Sequence, residues 1–124
     1  MNCPYCNSAV IKVDSEEIYG ISYGDVYICS AYPHCNAYVG ADKKTGEPLG
    51  TLADWKTRGA RKKAHASFDS LWKEKKMSRT DAYKWMADVM DLPKEKAHIA
   101  MFGVNQCEEL MDKLYERQIK EVTK

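Results

Sequence analysis

The sequence predicts an α+β protein: a small N-terminal zinc ribbon of short β-strands over residues 1–48, then a C-terminal bundle of four to five helices over residues 49–124. Three observations carry that prediction. Cysteines stand in two close pairs, Cys3-Pro4-Tyr5-Cys6 and Cys29 with Cys35, separated by a gap of 22 residues. Short β-rich runs punctuated by glycine fill the first third of the chain. Beyond Pro48, apolar residues recur at helical spacing behind serine, threonine and aspartate capping signals.

The cysteines come first. Four thiolates in two spaced pairs supply the closed, soft-ligand tetrahedron of a structural zinc. Cys3, Cys6, Cys29 and Cys35 are therefore expected to hold one Zn2+. A C-x2-C turn lets both sulfurs reach one ion, and Pro4 stiffens that turn by fixing φ. The intervening gap leaves room for a hairpin that returns the second pair to the first. Two other readings compete. A disulfide framework needs an oxidising compartment, and no charged-then-apolar leader precedes Cys3. A glutaredoxin-type dithiol needs a strand before C-P-Y-C and a helix after it that lowers the first thiol's pKa. Only Met1 and Asn2 stand before Cys3, and Asn7 to Val13 reads as turn then strand. His34 adjoins Cys35 and reads as an exposed loop histidine.

Ala9 to Val13, Val26 to Cys29 and Ala37 to Val39 are the expected strands, with Gly20, Gly24 and Gly40 between and after them. So small a module buries little apolar surface, so metal binding is expected to supply its folding energy. Six of the eight tyrosines lie here. The simpler reading packs Tyr27 and Tyr38 in the small core and sets Tyr32 as a brace for the second cysteine pair. The alternative has exposed Tyr5, Tyr32 and Tyr23 stacking on unpaired bases. The run Cys29-Ser30-Ala31-Tyr32-Pro33-His34-Cys35 resembles the C-x-x-Y-P-x-C knuckle of the zinc ribbons at the C-terminus of type I topoisomerases. That resemblance implies a metal and an association with single-stranded DNA, although this chain lacks the further ribbons and the basic residues of those enzymes.

Gly46 and Pro48 mark a linker or turn. Thr51-Leu52-Ala53-Asp54 reads as a capping box that starts a helix. Ala53, Ala60, Ala64 and Phe68 fall on one side of it. Arg58, Arg61, Lys62 and His65 form a basic stripe on another, fit for a phosphate backbone, an acidic protein surface or solvent. Gly59 weakens the helix, and Ser67-Phe68-Asp69-Ser70 is expected to break it. Ser78-Arg79-Thr80-Asp81 is a second capping box, followed by the apolar stripe Ala82, Trp85, Met86, Val89 and Met90. Pro93 ends that helix and starts another through His98, Ile99 and Met101. Gly103 stops it, and Asn105 caps a last helix with Cys107, Leu110, Met111, Leu114 and Ile119 on its buried side. Glu108, Asp112 and Glu116 share the opposite face, a solvated row or a partner contact. Cys107 reads as a buried inert thiol; a second metal site from His65, His98 and Cys107 is the alternative.

Net charge is +1 over 124 residues, so no global field favours nucleic acid or membrane. The charge is uneven: residues 1–40 carry −3, residues 41–76 carry +5 and residues 77–124 carry −1. No apolar run has the length of a bilayer span. With reduced thiols expected, the cytoplasm of a host cell is the expected compartment. No nucleophile–base–orienter set, phosphate-cradling glycine loop or H-E-x-x-H stands out, so neither enzymatic activity nor a small-molecule substrate is expected.

Taken together, Cys3-Pro4-Tyr5-Cys6, Ala37-Tyr38-Val39-Gly40, Pro48 to Ala53, Ala64 to Trp72, Met77 to Trp85 and His98 to Phe102 stand in the order of a family of small phage and prophage zinc-finger-containing proteins without an assigned domain function. The resemblance runs over nearly the whole chain. It implies the zinc and a mobile-element origin, and supplies no reaction. Where that family carries a histidine after the A-Y-V-G block, this chain has Asp42, so no ligand role is carried to that position. Small phage proteins often disable a host machine, and the chain resembles anti-CRISPR proteins that inhibit Cas9. The expected partner is thus a host protein or nucleoprotein complex such as Cas9, bound through Arg58, Arg61, Lys62 and His65 or through Glu108, Asp112 and Glu116. A net charge near zero argues against wholesale DNA mimicry. A DNA- or RNA-binding ribbon and a structural phage interaction protein are the alternatives.

Overall fold

A computed structural model of the chain describes residues 1–122, and side chains as far as residue 120. The described chain forms two compact units, Met1–Arg58 and Gly59–Lys124.

The first unit is a three-stranded antiparallel sheet in the order β1 (Val10–Asp14), β2 (Asp25–Cys29), β3 (Tyr38–Gly40). Register is set by Val10 opposite Cys29 and by Ile28 opposite Tyr38. All three expected strands are present. A four-residue helix, α1 (Glu16–Tyr19), fills the β1–β2 connection. Gly20 stops it at φ 74°, a left-handed backbone that glycine adopts without steric cost. One buried cluster joins Cys3, Cys29, Ala37 and Leu52, with Val10, Tyr27 and Val39 packed on it. The core of this unit and its sulfur cluster are therefore one structure.

Gly46 and Pro48 belong to a tight hairpin rather than a linker. Asp42 Oδ1 accepts the Lys44 and Thr45 amides at 2.8 and 2.9 Å, and Ala41 bridges to Pro48. Thr51 does not start a helix. Ala53 pairs with Tyr38, each amide donating to the other's carbonyl at 3.1 Å, which holds this segment extended along β3. Helix α2 (Trp55–Lys73) begins only afterwards. Asp54 caps it: Oδ1 accepts the Thr57 amide at 2.9 Å and the Thr57 hydroxyl at 2.7 Å.

Helix α2 runs unbroken through Ser67–Ser70, against expectation. Phe68 is fully buried there, and Asp69 receives His65 and Lys73 one turn to either side. Burial and these i,i+4 pairs override the weak local propensity of serine and aspartate. Helix α3 (Arg79–Val89) starts as expected, with Ser78 Oγ accepting the Asp81 amide at 3.1 Å. Asp91, at φ 52°, ends it before Pro93. Two short 3-10 turns, Lys94–Lys96 and Ile99–Met101, replace the expected helix after Pro93. Helix α4 (Val104–Val122) follows. The Gln106 side chain accepts the Gly103 amide at 3.4 Å, so the capping contact comes from Gln106 rather than Asn105.

The second core is built around Phe68, Met86, Phe102 and Leu110, all fully buried, with Ala64, Ala82 and Cys107 between them. Phe68 meets Tyr83 edge-on at 5.1 Å between ring centroids. The predicted stripes of α3 and α4 supply this core, except that Ile119 is exposed. No helix among the described residues is long and apolar enough to cross a membrane.

Candidate metal centre

Two turns carry the cysteines. In the first, the Cys3 amide donates to Ser8 O at 2.8 Å and the Asn7 amide to Cys3 O at 2.9 Å. Asn7 takes the left-handed conformation, φ 63°, that closes the turn, and asparagine tolerates it better than most side chains. The second turn leaves the end of β2. The Tyr32 amide donates to Cys29 O at 3.0 Å, the Cys35 amide to Ala31 O at 3.2 Å, and the Ala31 amide to Cys29 Sγ at 3.4 Å.

The sulfurs of Cys3 and Cys35 are 3.6 Å apart and those of Cys6 and Cys29 3.4 Å, and all four lie within 4.8 Å of one another. A tetrahedron with Zn–S bonds of about 2.3 Å has edges of about 3.8 Å. The four thiols thus fit one zinc ion, with all four positions taken by protein sulfur. When bound, the ion supplies cross-links between the two turns.

Protonation differs across the cluster. The Cys6 thiol is lowered to about 6, first by the Ser8 hydroxyl and then by the Ser8 amide. Burial pushes the Cys29 thiol up. At Cys35 the Ala37 amide favours the thiolate, but burial and the neighbouring sulfurs outweigh it and push the thiol up to about 12. Cys3 and Cys29 are buried, whereas Cys6 is exposed. The Cys6 sulfur is thus the ligand most disposed to the thiolate form, while metal must displace protons held more firmly at Cys29 and Cys35.

Tyr5, inside the first turn, braces the centre. Its hydroxyl donates to Thr57 Oγ1 at 3.0 Å, and the Thr57 hydroxyl passes the chain on to Asp54 at 2.7 Å. Hydrogen bonding from Thr57 holds the Asp54 carboxyl below the usual carboxylate range despite the opposing effect of burial. Arg58 completes the frame. One Nη1 donates to Asn36 O at 2.7 Å and Ala53 O at 2.6 Å, and the guanidinium lies 3.9 Å from the Tyr38 ring centroid.

The remaining predicted residues fall apart into separate roles. Arg61 Nε donates to Phe102 O at 2.7 Å, so both arginines of the basic stripe serve backbone carbonyls. Lys62 and His65 are exposed, and His65 Nδ1 is 3.4 Å from Asp69. Glu108, Asp112 and Glu116 are all exposed on α4. His65, His98 and Cys107 form no metal cluster; among the described residues the four-cysteine group alone meets that description. Cys107 is buried, with its thiol pushed up by that burial. Of the candidate stackers, Tyr23 is strongly exposed, Tyr32 is half-buried and Tyr5 is tethered through its hydroxyl. Tyr19 was not singled out by the sequence. It lies at 5.9 Å from Tyr23 and 6.1 Å from Tyr38, edge to face with both. Its spacing from Tyr38 carries no local signal; only the sheet brings the rings together.

Comparison with curated proteins and with solved structures returns no match to the chain. Residues 1–117 match the family model described as a zinc-finger-containing domain, and with its sulfur cluster built as above the chain belongs to that family.

Proposed function

We propose that the chain is a non-enzymatic, zinc-stabilised binding protein that acts on a host nucleoprotein machine through protein contact, with Cas9 as the target to test first. The observation that carries this reading is the acidic row Glu108, Asp112 and Glu116, exposed on α4. At 1.5 Å per residue it extends about 12 Å along the helix. A row of one sign complements a basic protein surface, such as the nucleic-acid-binding surface of a nucleoprotein enzyme, and steers association with it. The engagement of Arg58 and Arg61 with backbone carbonyls commits donors of two cations on which the rival reading, with α2 tracking a phosphate backbone, relies. The all-sulfur centre supports a structural rather than a reactive metal. The choice of Cas9 rests on resemblance to small phage proteins.

Size-exclusion chromatography of the full chain with Cas9, with and without guide RNA, tests the proposal. Co-elution that is lost in Glu108→Lys/Asp112→Lys/Glu116→Lys, with zinc content and helicity kept, is expected. Separate elution in both conditions removes Cas9 as the target. Co-elution unchanged by the triple substitution removes the acidic row as the contact.

A further inference from the structure

The first unit carries a surface that the acidic row of α4 does not explain. A groove of about 640 Å³ runs over Val26 and Gly40, walled by Tyr19, Tyr23, Tyr38 and Leu49 and rimmed by Lys43 and Lys44. A second hollow of about 590 Å³ continues it past Tyr23 and Lys43. We propose that this groove binds a short stretch of single-stranded nucleic acid, with unpaired bases stacked on Tyr23 and Tyr19 and the phosphates on Lys43 and Lys44.

The wall is rigid where rigidity matters. The Tyr19 hydroxyl donates to Tyr38 Oη at 2.9 Å, and Arg58 covers the Tyr38 ring. Tyr23 touches this wall only edge-on, and two thirds of its surface is open (66%). It is the free platform, and a phenol ring stacks on any base because every base has a π-face. The volume matches the room that small ligands occupy in proteins, about 300–1,000 Å³.

Two rim cations suit the same occupant. Lys43 and Lys44 are exposed in the Asp42–Gly46 turn and have no carboxylate in ion-pair contact among the described residues. Two acidic groups also face the groove, Asp25 and Asp42. The Asp42 carboxylate is turned onto the Lys44 and Thr45 amides, which hold it ionised and directed at the turn backbone. The lining is therefore balanced in charge, and the two ammonium groups act as local phosphate contacts on the rim. An apolar peptide would use the tyrosines and leave both lysines idle. A duplex would present no base face to Tyr23.

Fluorescence anisotropy on the zinc-loaded full chain decides, with labelled oligothymidine, oligouridine and a duplex, each of about 15 nucleotides to span a typical single-strand site. The two single strands separate DNA from RNA as the source of the shared chemistry. Expected is single-strand binding that exceeds duplex binding and weakens about tenfold in Tyr23→Ala. In Lys43→Gln/Lys44→Gln the slope of log affinity against log salt should fall by about 1.4. Tyr115→Ala, which removes an exposed tyrosine of the second unit, should leave affinity unchanged. No single-strand binding at low salt overturns the proposal. So does duplex binding of equal strength, or affinity indifferent to both groove variants. If Tyr23→Ala loses zinc or its circular dichroism, the lysine pair decides, since both side chains lie exposed in a turn.

Discussion

Arg58 was a sequence candidate for partner contact, and the structure gives it a second task that can be separated by experiment. In Arg58→Ala three ties vanish together: the bonds to Asn36 O and Ala53 O and the stack on Tyr38. A hydrogen bond from a charged donor contributes about 1.5–3 kcal/mol. An exposed cation–π contact adds about 0.5–1 kcal/mol. The sum overstates the loss, because Ala53 O keeps the Tyr38 amide at 3.1 Å and truncation removes the entropy cost of ordering the arginine side chain. A loss of about 2–3 kcal/mol is expected, which for a unit of this size lowers the melting midpoint by roughly 10 °C or more. Arg58→Lys should recover only part of it, since an ammonium cannot bridge two carbonyls and lie flat on a ring at once. The assay is thermal unfolding followed by tyrosine fluorescence and by zinc release to a chromogenic chelator. An Arg58→Ala protein that melts within about 2 °C of the parent, on a scale where 1 kcal/mol shifts such a unit by about 4–8 °C, would refute the bracing role and return the residue to the surface.

Three further outcomes are expected. Cys29→Ser should abolish stoichiometric zinc and unfold the first unit, whereas Cys107→Ala should leave one zinc per chain; retention of zinc by the first variant, measured by atomic absorption, would contradict the four-sulfur centre. Phe68→Ala should cost about 3–5 kcal/mol in urea denaturation, because it empties a fully buried site next to Tyr83. Asp54→Ala should cost about 1 kcal/mol as a lost helix cap. Because the folded Asp54 carboxyl lies below its ordinary range, its contribution is present above the unfolded value of about 3.9 and is lost as pH falls through the lower folded value. The gap between parent and variant should therefore close in strong acid; a constant gap down to that range would exclude the carboxylate as its source.

The metal centre was legible because ligand spacing is a local property: two turns each fix a pair of sulfurs whatever the rest of the chain does. The strands were legible as β-rich runs set off by glycines, and the buried faces of α3 and α4 through a period of 3.6. Misreadings cluster where tertiary contacts decide. Thr51 to Asp54 has the letters of a capping box, yet pairing of Ala53 with Tyr38 pulls that segment out straight. Ser67 to Ser70 has the letters of a breaker, yet Phe68 is drawn into the core. Ile119 continues the periodicity of α4 but lies beyond the packed part of its face. Two members of the basic stripe have a use that the pattern did not announce, since no spacing shows that a guanidinium will meet a carbonyl 22 residues away. Tyr19 and Tyr38 are 19 residues apart, and their hydroxyl contact follows only from sheet register.

The pairing of residues 48–53 with β3 has a consequence for solubility. A three-stranded sheet ends in open rows of amides and carbonyls that invite strands of other molecules. Along β3 that row is occupied from within: the Ala53 and Tyr38 backbones bond reciprocally, and the Leu49 amide donates to Gly40 O at 2.9 Å. A ribbon cut after residue 48 would keep all four zinc ligands and yet bare this edge, and it should self-associate. A fragment carried on through Arg58 would bring its own cover for the β3 edge and should self-associate less. The short stretch before α2 is therefore a guard against aggregation, and the smallest well-behaved ribbon is longer than its metal site requires.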